Sequence, residues 1–390
     1  MKIKIHSTFL ILMIIFSILL FNIKIAKSIE IYEPIYIKED GSIEPSNAPI
    51  KTEDNITYVL TDNIKTKANG LIIERDNIIL DGNGYTLEGN GSYTGILLKN
   101  KKNITIKNIK IKNFTWGILL YNSSNNIISE NKILKNKYGI WLDVSSKNVI
   151  FGNEISENKE VGIHLLDSSN NIIFENEILG NNEIGIRLGF SSNSIVYKNK
   201  ILKNNFGINF YFSFNNIVSK NEILENKEID IYLESSSNNL IYYNKFRQIY
   251  LFNSINKWDN GSIGNYWSDY KGRDLNNDGI GDVPYIIDEN NKDNYPLISP
   301  TMNFSKKTEY ISSVTETIEA TTSIFETTLI IEETETTILE TEITKTIQTS
   351  KEVSKEKFEI EQYIIPIFLF IIVIIIALLL YYTLFKKRKI

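Results

Sequence analysis

The sequence predicts an all-β solenoid of short strands, and three observations predict it. A glycine recurs at Gly95, Gly117, Gly139, Gly162, Gly185 and Gly207, with Asp230 in the next place, at spacings of 22, 22, 23, 23, 22 and 23 residues. Self-similarity at a near-constant period of this size is the signature of stacked repeats. Within each unit the apolar residues stand two apart, as Ile140 and Leu142 or Ile163 and Leu165 do, which puts both on one face of a strand. Asn- and Ser-rich breaks such as "SSNN" interrupt each unit before a helical period can build. Each unit therefore reads as about three short strands with tight bends between them.

The elements follow in chain order. Residues 1–28 read as a secretory signal: Lys2 and Lys4, an apolar run from Phe9 to Phe21, then small residues at Ala26 and Ser28. Residues 29–64 are expected to cap the open end of the solenoid, which would otherwise expose core and unpaired strand edges. Residues 65–253 hold the repeats. Residues 254–299 close them. Residues 300–362 are rich in Thr and Glu, poor in core formers, and read as an extended stalk. Residues 363–383 are long and apolar enough to span a bilayer, with Tyr381 and Tyr382 at the boundary. Lys386, Lys387, Arg388 and Lys389, in the tail 384–390, put that end in the cytoplasm by the positive-inside rule. The expected location is the cell membrane, crossed once, with everything before the span outside.

Stacking the units aligns equivalent side chains. One inward column runs Ile118, Ile140, Ile163, Ile186, Ile208, Ile231; a second runs Leu120, Leu142, Leu165, Leu188, Phe210, Leu233. The columns that begin at Ile128 and Ile133 complete a core no single coil could bury. Asparagines align as well, from Asn126, Asn131 and Asn136 onward. Asn tolerates left-handed backbone and bonds nearby backbone groups, so these columns are expected to line the bends and to be structural.

Composition narrows the chemistry. With a net charge of -5 and no cysteine, the chain offers no polycation for nucleic acid, no disulfide, no thiolate nucleophile and no zinc–thiolate site. Seven sequons, from Asn55-Ile-Thr57 to Asn303-Phe-Ser305, are compatible with glycosylation outside the cell.

The repeats resemble the parallel β-helix repeats of carbohydrate-binding and sugar-hydrolase domains. "GNYWSDYKGRDLNNDGIGDVPYIIDENNKDNYPL", Gly264–Leu297, is similar to the segment that closes many repeat domains of the NosD family and its archaeal cell-surface homologues. The resemblance covers roughly residues 65–299. It implies a right-handed single-stranded parallel β-helix, and it raises a copper-related role. Copper wants Cys, Met or His. Outside the two terminal segments only His164 and Met302 remain, so no copper site is expected.

Two places could carry chemistry. "DLNNDGIGD" alternates side-chain oxygens at Asp274, Asn276 and Asp278, turns at Gly279, and continues with the Ile280 carbonyl and Asp282. This is the order of the first nine positions of a calcium loop, with Tyr285 where the closing Glu would stand and Asp288 as a substitute carboxylate. A structural calcium is the expectation. The outward column between the two inward ones is Leu119, Trp141, His164, Arg187, Asn209, Tyr232. Trp141 and Tyr232 could stack on sugar rings, and His164 and Arg187 could bind an acidic group. Asp143 and Asp167 lie beside this strip and are the candidate catalytic carboxylates, although Asp167 aligns with Val144 rather than with Asp143. Because no motif here resembles a known active centre, the expected function is non-enzymatic: a surface protein that binds glycans or other surface partners. A polysaccharide hydrolase or lyase is the alternative, and a metal accessory protein a further one.

Overall fold

The computed structural model describes residues 28–299, all β-structure with turns. The expected signal peptide (save Ser28), stalk, transmembrane helix and basic tail lie outside the described residues. The chain winds as a right-handed parallel β-solenoid whose strands stack into three long sheets of 11, 11 and 10 strands. Successive strands in each sheet come from successive coils.

The first sheet, here the long-strand face, carries the glycine-marked strands Trp116–Tyr121, Tyr138–Asp143, Val161–Leu166, Ile184–Gly189, Phe206–Tyr211 and Ile229–Glu234. The second face holds Ile127–Ser129, Val149–Phe151 and their successors; the third holds Lys132–Leu134, Glu154–Ser156 and theirs. Parallel register pairs Ile118 with Ile140, Ile140 with Ile163 and Ile163 with Ile186, and likewise Leu120, Leu142, Leu165 and Leu188. These residues are fully buried, at about 1.5–3 kcal/mol of transfer free energy for each large side chain.

The glycine column is a packing requirement. A Cβ at Gly139 would stand 2.5 Å from the Gly162 carbonyl oxygen and 3.0 Å from Ile155 Cγ2. Asp230 can occupy the last place because there it works as a cap. It is fully buried, and its carboxylate accepts bonds from Asn226 Nδ2 at 2.9 Å and from the Arg247 amide at 2.7 Å.

The asparagine columns are bonded ladders. Asn153 Oδ1 accepts from the amide N–H and the Nδ2 of Asn131, each at 3.0 Å, while Asn153 Nδ2 donates to the Ile128 carbonyl at 2.8 Å. The pattern repeats through Asn176, Asn199, Asn221 and Asn244 to Asn265. The ladder residues themselves are not left-handed. The positive φ falls one residue earlier, at Glu130, Lys135 and Glu157 for instance. A serine ladder, Ser123, Ser145, Ser168, Ser191, Ser213 and Ser236, bonds the bend after the long strand in the same manner.

Coiling begins before residue 65. Ser28–Ile31 pairs in parallel with Asn63–Thr66, and Ile35–Ile37 with Leu71–Ile73. Short antiparallel strands, Ile43–Glu44 and Ile50–Lys51, cover two of the three sheet edges at this end. At the other end Trp258 and Trp267 are buried and close the core. Trp258 Nε1 donates to Asn291 Oδ1 and Trp267 Nε1 to Asp293 Oδ2.

Candidate functional site

Strand alternation points every second residue of the long-strand face outward, and parallel register sets those residues in line about 4.8 Å apart. The structure pairs Leu119 with Trp141, Trp141 with His164, His164 with Arg187, Arg187 with Asn209 and Asn209 with Tyr232. Trp141, His164 and Arg187 therefore form one contiguous strip. Tyr232 does not join it. It lies two coils beyond Arg187, stacks on Tyr250 with ring centres 5.0 Å apart, and donates to Glu234 at 3.2 Å.

Aromatic residues that the sequence reading passed over extend the strip. Trp116 and Tyr138 precede the column glycines and stack at 6.3 Å; Tyr138 meets the edge of Trp141 at 4.6 Å; Trp141 meets His164 at 4.1 Å. Leu97, Lys99, Trp116, Leu119, Tyr121, Trp141 and Asp143 line a groove of about 370 Å³ on this face. The signal was available: Trp116 and Tyr138 share one register position, two large aromatics on successive coils outside the core.

Asp143 ends its strand opposite Leu166, and Asp167 is the next residue on the neighbouring coil. Asp167 has φ 48° and shares the left-handed position with Val144. The offset does not separate the two carboxylates electrostatically. Burial, and then the charge of Asp167, push the Asp143 carboxyl above its ordinary value. Two carboxyls on adjacent coils beside an aromatic groove, one of them with a raised affinity for its proton, are the kind of groups that glycosidic bond cleavage uses.

His164 is only 6% exposed. Burial, reinforced by the Arg187 charge, pushes its imidazole down to about 3, so the ring is neutral. Its Nδ1 and the Nε of Arg187 are buried without a hydrogen-bond partner.

The calcium-loop residues fall into two turns. Asp274 accepts from the amides of Asp278 at 3.2 Å and Gly279 at 2.8 Å; Asn276 accepts from Asp278, Asp278 from Ile280, and Asp282 from Leu275. Asp288 is engaged elsewhere, accepting from the amides of Asn290 and Asn291.

Two segments of the chain, residues 22–183 and 165–272, match the family model described as periplasmic copper-binding protein (NosD). The residues present do not fit copper. The chain has no cysteine, His164 is wedged between Trp141 and Arg187, and among the described residues no group of three or more His, Cys, Asp or Glu could hold a metal ion. No curated protein matches this sequence.

Solved structures of similar fold include the enzymatically active domain of tailspike protein 2 from bacteriophage CBA120, 13% identical with a TM-score of 0.42, covering 57% of this chain and 38% of that one. DFA-IIIase from Arthrobacter chlorophenolicus is 13% identical with a TM-score of 0.38, covering 54% and 59%. A mutant of the periplasmic alginate epimerase AlgG is 18% identical with a TM-score of 0.35, covering 59% and 73%. The chain thus spans less than two thirds of the first two. What these structures share with it is the fold. They also correct the expectation of a non-enzymatic protein: an enzymatically active domain, DFA-IIIase and an epimerase are enzymes by name.

Proposed function

This chain belongs to the NosD family, and from that premise we propose that it is a carbohydrate-active enzyme that cleaves glycosidic bonds on its long-strand face. The observation that carries the reading is Asp143 in the wall of the aromatic groove, with Asp167 beside it on the adjacent coil. Asp143, with its raised affinity for a proton, is the general acid that protonates the leaving oxygen. Asp167 serves as the base or nucleophile on the other side of the bond. Trp116 and Trp141 supply apolar walls against which the sugar rings pack.

The proposal keeps the location expected from the sequence: outside the cell, tethered through residues 363–383. Its support is the basic start, the apolar span and the basic tail of the sequence. Calcium belongs to the proposal as a brace of the closing segment, supported by the side-chain oxygens of Asp274 and Asn276, which both accept from the Asp278 amide, and by Asp278 beside them. Added calcium then raises the melting temperature of the wild type and not of Asp278→Ala; equal melting of both with and without calcium removes the brace.

The test of the enzyme is product release from a panel of neutral and acidic polysaccharides. New reducing ends made by the wild type, and lost in Asp143→Asn and Asp167→Asn with the fold intact, support the reading. Cleavage indifferent to both substitutions refutes this site.

A further inference from the structure

The groove names a class of ligand and leaves the sugar open; the residues beside it narrow the choice. We propose that the site recognises an anionic sugar, a uronic acid or a sulfate ester, held by Arg187 and His164 on the long-strand face. This rests on the reading of the long-strand face as a glycan-cleaving groove.

Among the described residues three buried side-chain polar atoms lack a hydrogen-bond partner, His164 Nδ1, Arg187 Nε and Ser219 Oγ. Two of the three sit on adjacent coils at paired positions of one strand register. Elsewhere this fold satisfies its buried amides with care: every member of the ladder from Asn131 to Asn244 is bonded on both sides. Unpaired buried polar groups are rare in folded proteins and call for a reason, most often a ligand or water that completes them.

The charge of Arg187 is also unanswered. Among the described residues no carboxylate lies within ion-pair distance of it, whereas Lys132, Lys200 and Lys245 on the third face each find a glutamate. His164 is neutral and adds hydrogen-bonding capacity without a compensating negative charge. A guanidinium presents a planar fork that matches a carboxylate or sulfate through two parallel bonds.

Gly189 borders the Arg187–His164 pair. It ends the strand that carries Arg187 and stands opposite Leu166. A Cβ built there would lie 3.7 Å from Leu166 Cδ1 and 3.9 Å from His164 Nε2. Gly189 does not have a positive φ, so no backbone conformation demands glycine here. A side chain larger than a methyl there would press on Leu166 and His164. Trp141, with its ring centre 4.1 Å from that of His164, provides the adjoining apolar wall, so the anion is one carried on a sugar.

The experiment measures equilibrium binding of the full chain to three polymers: polygalacturonate, the same polymer with its carboxyls reduced to alcohols, and a sulfated galactan. Reducing-end release is read from the same samples. The expected result is at least tenfold tighter binding of an anionic polymer than of the reduced one. Arg187→Gln weakens that binding by about tenfold to a hundredfold, as loss of a charged hydrogen-bond partner does. Gly189→Val, which crowds His164 and Leu166, weakens it too. The stronger of polygalacturonate and sulfated galactan tells carboxylate from sulfate. Equal binding of the reduced polymer, or undiminished binding by Arg187→Gln, overturns the proposal. Cleavage of neutral glycans without anionic preference sinks the anion site and leaves the enzyme reading standing. Selective, Arg187-dependent binding without any product release does the reverse. No binding to any polymer overturns both.

Discussion

The long-strand face and the third face are two sides of the same coils, in the same register, yet their outward residues do different things. On the third face the outward column runs Lys132, Glu154, Glu177, Lys200, Glu222, Lys245. It settles into ion pairs, Lys132 with Glu154 at 2.6 Å, Lys200 with Glu177 at 3.3 Å and Lys245 with Glu222 at 3.2 Å. On the long-strand face the corresponding column holds Trp141, His164 and Arg187, with two carboxylates beside it and two orphaned polar atoms within it. A solenoid repeat decides the inward residues and the bends. It leaves the outward residues free, so a face whose outward residues are not mutually neutralised marks where the chain meets something else.

The largest effect expected from this contrast is on catalysis. Asp143→Asn and Asp167→Asn each lower cleavage by about 10²–10⁴-fold, the usual contribution of a positioned acid or base, while Glu154→Gln on the third face leaves the rate unchanged. A rate measurement on purified variants decides it. The pH profile sharpens the assignment. Because the Asp143 carboxyl is held above its ordinary value, cleavage falls as pH rises through its titration, and Asp143→Asn removes that limb.

Next in size is damage to the frame that both faces share. Asn176→Leu removes an amide that accepts from Asn153 and donates to the Ile150 carbonyl and to Asn199. Leaving those buried groups unpaired costs roughly 3 kcal/mol or more, read as a lower denaturation midpoint whichever face is monitored.

The closing segment gives an effect of similar or smaller size that depends on pH. Burial pushes the Asp293 carboxyl up to about 6 from an ordinary 3.8, against the bonds donated by the Asn265 amide, Trp267 Nε1 and the Tyr295 amide. The folded form therefore binds this proton more tightly than the unfolded chain. The stabilisation is complete below pH 3.8 and is lost as pH rises through about 6, roughly 3 kcal/mol from this group across that window. Asp293→Asn should flatten that part of the stability profile. The smallest effect is the third face itself: Glu154→Gln changes stability by about 0–1 kcal/mol, as partly exposed pairs do, and a melt resolves whether it is even that large.

Much of this architecture was legible in the sequence because a repeat states each rule several times. The columns of Ile118 and Leu120, the asparagine ladders and the outward register column from Leu119 to Tyr232 all follow from a period of 22 or 23 residues and strand alternation. The bends were harder. Asparagine in a turn suggests left-handed backbone, yet the structure puts the positive φ on the preceding residue, even on Val144, Phe190 and Phe212. There the ladder bonds of the next residue hold the bend, and intrinsic preference yields to them. The first coils escaped notice because residues 28–64 lack the glycine mark while still pairing in register. The site was half legible. Asp143, Asp167, Trp141, His164 and Arg187 were in view, but the electrical coupling of the two carboxylates and the orphaned nitrogens exist only once neighbouring coils are stacked.

The most direct test of the central claim is the time course of reducing-end release from a glycan that the wild type binds, run beside Asp143→Asn and Glu154→Gln at equal folded concentration. The account predicts steady release by the wild type and Glu154→Gln and near-complete loss in Asp143→Asn. Equal release by all three would contradict it, as would a wild type that binds glycan and never cuts it.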